Sequence, residues 1–509
     1  MTRPLLTVRG PPRRLGAAVV FASLGWALAS PVQAATPDDP APALASRAIL
    51  DDAEWDALLD GLATGRVADP LGGVRSLTPR ELGALLAPGL PPPVGPWFAP
   101  AARAALFASG AAEYDRGYSQ PLHPLQVAGG LALSCEFQAG RPCGDGASGG
   151  LELDSAAGYS SWLTAGSRVR AWGGSVAGAP GLEVDRLFLR FDLGRVWLQA
   201  GRDAVAVGPS LRSQTMLSTH AAPLDGVQAG LRPLALTPWL RASLFYTLGR
   251  LRDPQTFSGT LIDLARLQLD LFDVVQLGGS RILQLGGDGA PPVGGLWGFV
   301  EEHFGRSYGG GIAENNRLAL DAAVRVPALG LRVYGELAFE DTHDPLLNAV
   351  EWEADHLLGV EVRAGLPAPL RRFAVEYLRT SWISQVHGTF TTGMTNAGRT
   401  LGSPLGPDAQ SLWARADLAL GAAEVSPWFE WVRCFSDVIG ETQAAGNFLV
   451  QRGPQEHRQR AGADLRFSAL GLSWSGGVFA ERVAGAGFVP GETRLGLGGR
   501  LVVSASPRG

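Results

Sequence analysis

The stretch RLALDAAVRV, residues 317–326, alternates between aliphatic and mostly polar positions. Every even position is aliphatic or alanine, whereas the odd positions include Arg317, Asp321 and Arg325. Successive side chains of a β-strand point to opposite faces, so a period of two places the charges on one face and the aliphatic groups on the other. The stretch therefore predicts a strand that separates an apolar environment from a polar one.

The same period recurs along most of the chain after Pro124. LRVYGELAFE at 331–340 repeats it, as do the segments 358–364, 372–377, 412–420, 460–467 and 494–503. Tight turns are predicted at 192–194, 328–330, 366–368 and 470–471, and long connections at 286–316, 387–410 and 436–457. We expect about eighteen antiparallel strands, joined alternately by tight turns and longer loops.

Two architectures fit this alternation. A soluble antiparallel sandwich also has one apolar and one polar face. The number of strands in one run, the contrast between tight turns and long loops, and an export signal favour a transmembrane barrel. Trp162 and Trp239 lie near predicted strand ends, where such rings anchor a barrel at the lipid headgroups. The predicted fold class is an all-β transmembrane barrel with a small N-terminal α-helical domain.

Residues 1–34 have the layout of a secretory signal peptide. Four arginines precede the short apolar run at 15–29, and Val32-Gln33-Ala34 forms a small-residue cleavage site. The alternative is an uncleaved membrane anchor, but the run is short for a spanning helix. We expect export and a location in the outer membrane.

Residues 35–120 are interpreted as a periplasmic helical domain with a proline-rich connector, and residues 121–509 as the barrel. The spacing of apolar residues between 46 and 86 is helical, and TPRE at 78–81 is a capping box. The segment 88–100 is rich in proline, which indicates a stiff connector, and a last helix is predicted over 101–114.

Charge and cysteine content limit the partners and the chemistry. The chain has 48 acidic and 43 basic residues, and four of the arginines lie in the leader, so nucleic acid is not an expected partner. Cys135 and Cys143 either form a disulfide or remain two reduced thiols, and Cys434 is left single. No Cys/His group has metal-ligand spacing, so neither a metal nor a cofactor is expected.

The polar face of the predicted barrel carries both signs of charge. Arg332 lies beside Glu336 and Glu340, and similar mixtures recur on later strands. An ion-selective pore concentrates one sign at its constriction, whereas alternating signs pair across strands and fill the lumen. We therefore predict a lumen crowded by ion pairs, with a channel for a small solute as the alternative.

Ser218 is close to His220 in sequence, which would suit a serine hydrolase. No nucleophile elbow surrounds the serine, so an outer-membrane lipid hydrolase is the weaker hypothesis and no catalytic residue is predicted.

Several segments resemble the capsule-assembly Wzi family of outer-membrane proteins. They contain Gly201-Arg202-Asp203, Gly208-Pro209 and 216–223 with Ser218 and Pro223, and also Glu336, Glu376 and the stretch 401–408 with Gly402 and Asp408. The resemblance implies a monomeric barrel in outer-membrane lipid, with a periplasmic helical bundle, that binds capsular or extracellular polysaccharide as a lectin. Thr219 and His220 stand where the family often has asparagines.

Glycan recognition needs polar groups for hydroxyls and flat apolar surfaces for sugar faces. Two predicted loops combine aromatic and cationic side chains in this way. The candidate glycan-binding residues are Trp297, His303, Arg306 and Tyr308 on the first loop, and Arg379, Trp382, His387 and Arg399 on or beside the second. The alternative for each is packing between loops at the barrel mouth.

Overall fold

The computed structural model describes residues 96–109, 116–118, 125–127, 146–160, 162–174, 181–212, 214–290, 314–340, 349–363, 365–441, 448–470 and 472–505. The predicted signal peptide and the predicted helices before residue 88 lie outside these residues, as do Cys135 and Cys143. Among the residues described, no helix has the length and apolar content needed to cross a membrane.

Eighteen long strands form one antiparallel sheet. They are β1 Pro96–Ser109, β4 Gly146–Tyr159, β5 Leu163–Gly174, β6 Gly181–Leu193, β7 Val196–Asp203, β8 Leu224–Thr237, β9 Leu240–Arg250, β10 Leu261–Leu271, β11 Val275–Leu285, β12 Asn315–Val326, β13 Leu331–Glu340, β14 Ala354–Val362, β15 Leu370–Thr380, β18 Ala409–Leu420, β19 Ala423–Phe435, β22 Gln455–Ala469, β23 Leu472–Ala484 and β24 Thr493–Ala505.

Short elements decorate the connections between these strands. Three small hairpins are formed by β2 Arg116–Tyr118 with β3 Leu125–Val127, β16 Thr395–Asn396 with β17 Arg399–Thr400, and β20 Val438–Glu441 with β21 Phe448–Gln451. Short helical turns occur at Pro327–Leu329, Ala349–Glu353 and Ala486–Phe488.

The sheet closes on itself because its first and last strands pair. In β1, Ala102 to Ser109 face Ala505 to Gly498 of β24, while the whole strand also pairs with β4. Each other long strand pairs with its neighbours in sequence among the eighteen, so no open edge remains in the ring. Closure satisfies the backbone hydrogen bonds that lipid cannot satisfy. The predicted barrel of about eighteen strands is confirmed.

The prediction of a connector and a last helix at the end of the N-terminal region is wrong. Pro96–Ser109 is a strand, not the end of a connector followed by a helix over 101–114, so the barrel begins before residue 121. The alanines of this segment favour a helix locally, but pairing with β4 and β24 closes the ring and outweighs that propensity. Pro100 faces Ser155 of β4 but precedes the paired part of β24, where a missing N–H is tolerated.

The alternation read from the sequence gives the two faces of the barrel. In β12 the odd residues are buried and the even ones exposed, so Arg317, Asp321 and Arg325 point to the lumen and Leu318 and Leu320 point outward. The outward side chains include many large hydrophobic residues, for example Leu358 at 63 % exposure. Such a surface suits lipid.

The connections at the two rims differ in length, as predicted. Eight pairs of strands are joined by short connections, such as Gly194-Arg195 between β6 and β7, and Gly421-Ala422 between β18 and β19. The opposite rim carries the longer connections, including 204–223, 286–314, 381–408 and 436–454. Trp162 and Trp239 lie exposed in turns of the short-turn rim. We call this rim the narrow rim and the other the wide rim, which in outer-membrane barrels faces the outside.

Candidate functional site at the wide rim

Two long connections of the wide rim fold into the lumen. The plug loop, residues 204–223, follows β7, and the cap loop, residues 381–408, follows β15. Most of their described side chains are buried, including Val207, Met216 and Phe390 at 1 % exposure or less. Loops on a barrel rim are normally solvated, so the burial shows that these two are part of the interior.

Glu376 of β15 anchors the plug loop. Its carboxylate accepts hydrogen bonds from the Ser210 hydroxyl at 2.8 Å and the Leu211 backbone N–H at 2.8 Å. The Tyr334 hydroxyl donates to the same carboxylate at 2.7 Å. Hydrogen bonds to an ionised acceptor are stronger than those between neutral groups, so this buried carboxylate fixes the loop firmly against the lumen wall.

Glu336 of β13 forms a second anchor. The Thr215 hydroxyl donates to its carboxylate. Gly208 has a φ of +115°, and a Cβ there would lie 2.6 Å from Oε2 of Glu336. Only glycine combines this backbone conformation with so close an approach. The Arg332 guanidinium also donates to the carbonyl of Pro209 at 2.7 Å.

Arg317 of β12 organises the anchor of the cap loop. Its buried guanidinium donates to the carboxylates of Glu340 and Asp355. Asp355 in turn accepts from the Ser381 N–H at 2.7 Å and the Ser384 hydroxyl at 2.8 Å. One arginine therefore holds the acceptors that fix the start of the cap loop.

The two loops bind each other as well as the wall. Ser218 of the plug loop donates its N–H to Leu401 O at 2.7 Å and its hydroxyl to Gly402 O at 2.6 Å. Asn396 of the cap loop donates to Ala222 O at 2.7 Å. A Cβ at Gly402 would collide with the carbonyl oxygen of Thr215, so the contact needs glycine. The plug and cap loops thus form one interior unit.

The lumen contains both predicted ion pairs and apolar packing that was not predicted. Ion pairs line the wall, for example Arg170 with Glu152 at 3.0 Å and Arg266 with Asp321 at 2.6 Å. One buried apolar cluster joins plug and cap residues, including Val207, Met216 and Met394, to lumen-facing residues of the wall. The crowded lumen is confirmed, but part of its filling is a small hydrophobic core.

The accessible side of the cap loop carries threonine hydroxyls. It meets the β9–β10 connection, where Thr392 N–H donates to Thr256 Oγ1 at 2.9 Å and the hydroxyls of Thr256 and Thr391 lie 3.1 Å apart. Below them, the rings of Phe257 and Phe390 pack edge to face with centroids 5.4 Å apart. Thr391 is exposed and Thr256 half-buried. This hydroxyl-rich surface rests on a fixed aromatic base.

The structure separates the predicted glycan-binding residues into different places. Trp382, His387 and Arg399 lie in the cap loop, each half-buried. The His387 ring accepts through Nδ1 from the Thr389 and Phe390 N–H groups, both at 3.2 Å, so it supports the loop fold. Arg379 lies within β15, on its outward face. Trp297, His303, Arg306 and Tyr308 lie outside the described residues.

The family-motif residues have structural positions that sequence reasoning did not assign. Gly201 has a φ of +125° in β7. Arg202 pairs with Asp225 at 2.5 Å, and Asp203 pairs with Arg186 at 2.6 Å. Pro223 ends the plug loop directly before β8. The motifs therefore mark the entrance of the plug loop and its partners across the lumen, whereas the hydroxyls of Thr256 and Thr391 had no signal in the sequence.

Asp408 ends the cap loop in a left-handed conformation, with a φ of +53°. Burial, together with the nearby charge of Asp437, raises the pKa of the Asp408 carboxyl to about 7. Asp437 itself is held by Arg452 at 2.5 Å and by the Gly453 N–H at 2.9 Å. Protonation of the Asp408 carboxyl near neutral pH therefore removes a negative charge at the end of the cap loop.

Ser218 has a structural environment rather than that of a nucleophile. Its hydroxyl donates to Gly402 O and accepts from the His220 backbone N–H at 3.1 Å. Both residues are buried within the plug loop. Within the described part of the chain, no group of three or more His, Cys, Asp or Glu side chains could hold a metal ion.

Comparison with solved structures places this fold beside known barrels. Wzi of Escherichia coli, described as an outer-membrane carbohydrate-binding β-barrel involved in group 1 capsule assembly, has a TM-score of 0.61 at 13 % identity, covering 89 % of this chain and 98 % of that one. OprD of Pseudomonas aeruginosa gives a TM-score of 0.45 at 9 % identity, covering 80 % of this chain and 94 % of that one. A BenF-like porin of Pseudomonas fluorescens gives 0.44 at 11 %, covering 80 % and 98 %.

No curated protein sequence matches the chain significantly. The family model for the capsule assembly protein Wzi matches residues 124–425, more than half of the chain. The match spans the plug loop, its anchors Glu336 and Glu376, and the cap loop. The chain therefore belongs to the capsule assembly protein Wzi family, as an outer-membrane β-barrel.

Proposed function

We propose that this protein binds capsular or other extracellular polysaccharide at its wide rim and so supports capsule assembly. The observation that carries the proposal is the cap loop, whose outward side presents hydroxyls on a fixed base at the rim that faces outside. Sugar hydroxyls exchange hydrogen bonds with hydroxyl and amide groups, and a fixed loop loses little conformational entropy on binding. Family membership and the carbohydrate binding of the Escherichia coli relative point the same way.

The proposed binding surface combines Thr256 and Thr391 with the predicted residues His387 and Arg399. Arg399, in the same loop as Thr391, contributes a guanidinium, and such a group matches the carboxylates of acidic sugars. Trp382 and the predicted residues of the 286–314 connection, Trp297, His303, Arg306 and Tyr308, are proposed to extend this surface. Arg379 lies on the outward face of β15 and is not part of it.

The role is proposed to be non-enzymatic, without metal or cofactor, and to need one copy of the chain. The plug loop uses Ser218 for structure, which leaves it badly placed for hydrolysis. The ring of eighteen strands closes within one chain, so no second copy is needed to complete it. We propose a cleaved signal peptide at 1–34 and a periplasmic helical domain between it and β1.

The test measures capsule retention in cells that lack the native gene and carry either the wild type or a variant. The double variant Thr391→Ala/Arg399→Ala changes two cap-loop side chains, and Arg195→Ala/Arg241→Ala changes two arginines near the narrow rim as the matched control. We expect the first variant to release several times more polysaccharide than the control. Equal retention by the two variants, at equal amounts of folded barrel in the outer membrane, would refute binding at the cap loop.

The channel hypothesis is decided by a second measurement. Steady single-channel conductance of the wild type in a planar bilayer would favour transport of a small solute. The buried plug and cap loops argue for a closed lumen.

A further inference from the structure

A polar row runs across the outward face of five neighbouring strands near the wide rim. His356 of β14 faces Arg379 of β15, which faces Gln410 of β18. Gln410 faces Arg433 of β19, which faces His457 of β22. We call these five residues the outer row. Each lies within two residues of the wide-rim end of its strand.

The outer row points away from the lumen. In β15 the lumen side is occupied by the buried residues Arg372, Glu376 and Thr380, which leaves Arg379 on the opposite face with Phe373 and Tyr377. In β19 the buried Glu430 and Val432 face inward, and Arg433 faces outward. All five side chains of the outer row are half-buried rather than covered. Part of each side chain is therefore accessible from outside the barrel, although Nε2 of His356 already lies 2.6 Å from the carbonyl oxygen of Val350.

The next two outward rows locate the outer row relative to the membrane. One step toward the narrow rim, the same strands carry Leu358, Tyr377, Leu412, Trp431 and Gln459. One further step carries Val360, Val375, Ala414, Phe429 and Ala461. From the wide rim toward the narrow rim, the three outward rows are polar, then partly aromatic, then apolar. Tyrosine and tryptophan concentrate at the headgroup boundary of a bilayer, so the outer row lies at headgroup level in the outer leaflet.

The arginines of the outer row differ from other arginines at the same rim in their carboxylate partners. Arg202 of β7 is neutralised by Asp225 of β8 at 2.5 Å, and Arg252 by Glu183 at 2.5 Å. No ion pair joins Arg379 or Arg433 to a carboxylate among the residues that the structure describes. Arg433 instead donates to Gln455 Oε1 at 3.0 and 2.6 Å and stacks over Phe435.

The Asp408 carboxyl lies close enough to interact electrostatically with Arg379, but the two form no ion pair. The two arginines are two strands apart, about 10 Å at the usual strand spacing. Two long guanidinium side chains at that spacing can reach one headgroup that carries more than one phosphate.

We propose that the outer row is a docking site for a phosphorylated glycolipid of the outer leaflet, with Arg379 and Arg433 binding its phosphates. Gln410, between them, donates to headgroup oxygens, and the imidazoles of His356 and His457 border the site. Tyr377 and Trp431 pack against the lipid below the headgroup. The proposal concerns the lipid-facing wall and does not depend on polysaccharide binding by the cap loop.

The test compares lipid binding by the purified full-length protein in detergent. Three probes are used: lipid A with two phosphates, lipid A without phosphates, and inorganic phosphate. The test variant is Arg379→Gln/Arg433→Gln, and the control is Arg195→Gln/Arg241→Gln near the narrow rim. Resistance of the folded barrel to unfolding in SDS at room temperature, seen as a mobility difference from the heated sample, verifies folding of each variant.

We expect the wild type and the control to bind diphosphorylated lipid A alike and the test variant to bind it about tenfold more weakly, because two cations near a membrane surface are lost. Arg379→Lys/Arg433→Lys should recover most of the affinity. Lipid A without phosphates should bind equally weakly to all variants. Unchanged binding by the test variant, an equal loss in the control, or displacement of the lipid by millimolar inorganic phosphate would each overturn the proposal.

Discussion

The carboxylate of Glu376 accepts a hydrogen bond at 2.8 Å from the hydroxyl of Ser210, which precedes it by 166 residues in the chain. The contact crosses from a loop that leaves β7 to a strand on another part of the wall. If this contact formed alone, closing the intervening chain would cost much conformational entropy. The ring of strands already brings the plug loop and β15 together, so that cost is not borne by the contact alone. The barrel therefore makes possible an interior that its two loops could not form by themselves.

Replacing Glu376 by glutamine should loosen the plug loop. The amide keeps the shape of the side chain but turns one acceptor into a donor, so at least one of the groups of Ser210, Leu211 and Tyr334 loses its acceptor. A buried donor left unsatisfied costs about 1–3 kcal/mol. We expect a lower thermal unfolding midpoint for the detergent-solubilised protein, measured by circular dichroism.

The control for this variant is Glu424→Gln. Glu424 pairs with Arg466 at 3.2 Å, and its side chain is 36 % exposed. Exposed pairs contribute about 0–1 kcal/mol. If the midpoints of both variants fall equally, Glu376 does not anchor the plug loop.

The filled lumen predicts the electrical behaviour of the barrel. The plug loop, the cap loop and the ion pairs of the wall occupy the interior, so the wild type should show no steady open-pore current in a planar bilayer. The variant Glu336→Ala/Glu376→Ala removes both plug anchors and should produce flickering openings. A steady wild-type conductance of porin size would contradict the closed lumen.

Replacing Arg317 by methionine should destabilise the barrel more than any exposed arginine would. The guanidinium is fully buried between Glu340 and Asp355, and its loss leaves two buried carboxylates without their cation. Breaking a buried pair from one side costs about 3–5 kcal/mol. The measurement is the midpoint of unfolding by urea or guanidinium in detergent.

Arg241→Met is the matched substitution. Arg241 pairs with Asp273 near the narrow rim, where the aspartate side chain is 70 % exposed. We expect a change of about 0–1 kcal/mol. Comparable destabilisation by the two substitutions would show that the buried Arg317 network contributes no more stability than an exposed ion pair.

The strand pattern was readable from the sequence because lipid and lumen impose opposite demands on alternate residues. In β12 this rule placed Arg317 and Asp321 on one face and Leu318 and Leu320 on the other, as the structure shows. The alanines of β1 carried no such signal, since alanine suits both a helix and a small-residue strand. Only the pairing of β1 with β4 and β24, which are distant in sequence, decides its conformation.

The interior loops were less predictable. Gly208, Ser218 and Gly402 were recognisable as family motifs, but their roles depend on contacts between distant loops, and Ser218 and Gly402 are 184 residues apart. The outer row was unpredictable for the same reason, because His356, Arg379 and Arg433 become neighbours only through strand register. Local sequence does not contain that register, which is set by closure of the whole ring.

Stability should depend on pH through Asp408. Its pKa in the folded protein is raised to about 7 by burial and by Asp437, whereas an unfolded aspartate titrates near 3.9. The folded state therefore holds the proton more tightly than the unfolded state. The contribution of Asp408 to stability is fully present below about pH 4 and is lost as the pH rises through 7.

Asp408→Asn keeps the neutral form at every pH and should remove this dependence. We expect the unfolding midpoints of the variant and the wild type to be closest at pH 4.5, the lowest pH compared. At pH 8 the variant should be the more stable by on the order of 1–2 kcal/mol, allowing for partial exposure of the carboxyl and the positive charges near it. The readout is the difference between the two midpoints at each pH, because titration of other groups cancels in that difference. A difference that stays constant from pH 4.5 to pH 8 would show that the Asp408 carboxyl is already ionised throughout this range in the folded barrel.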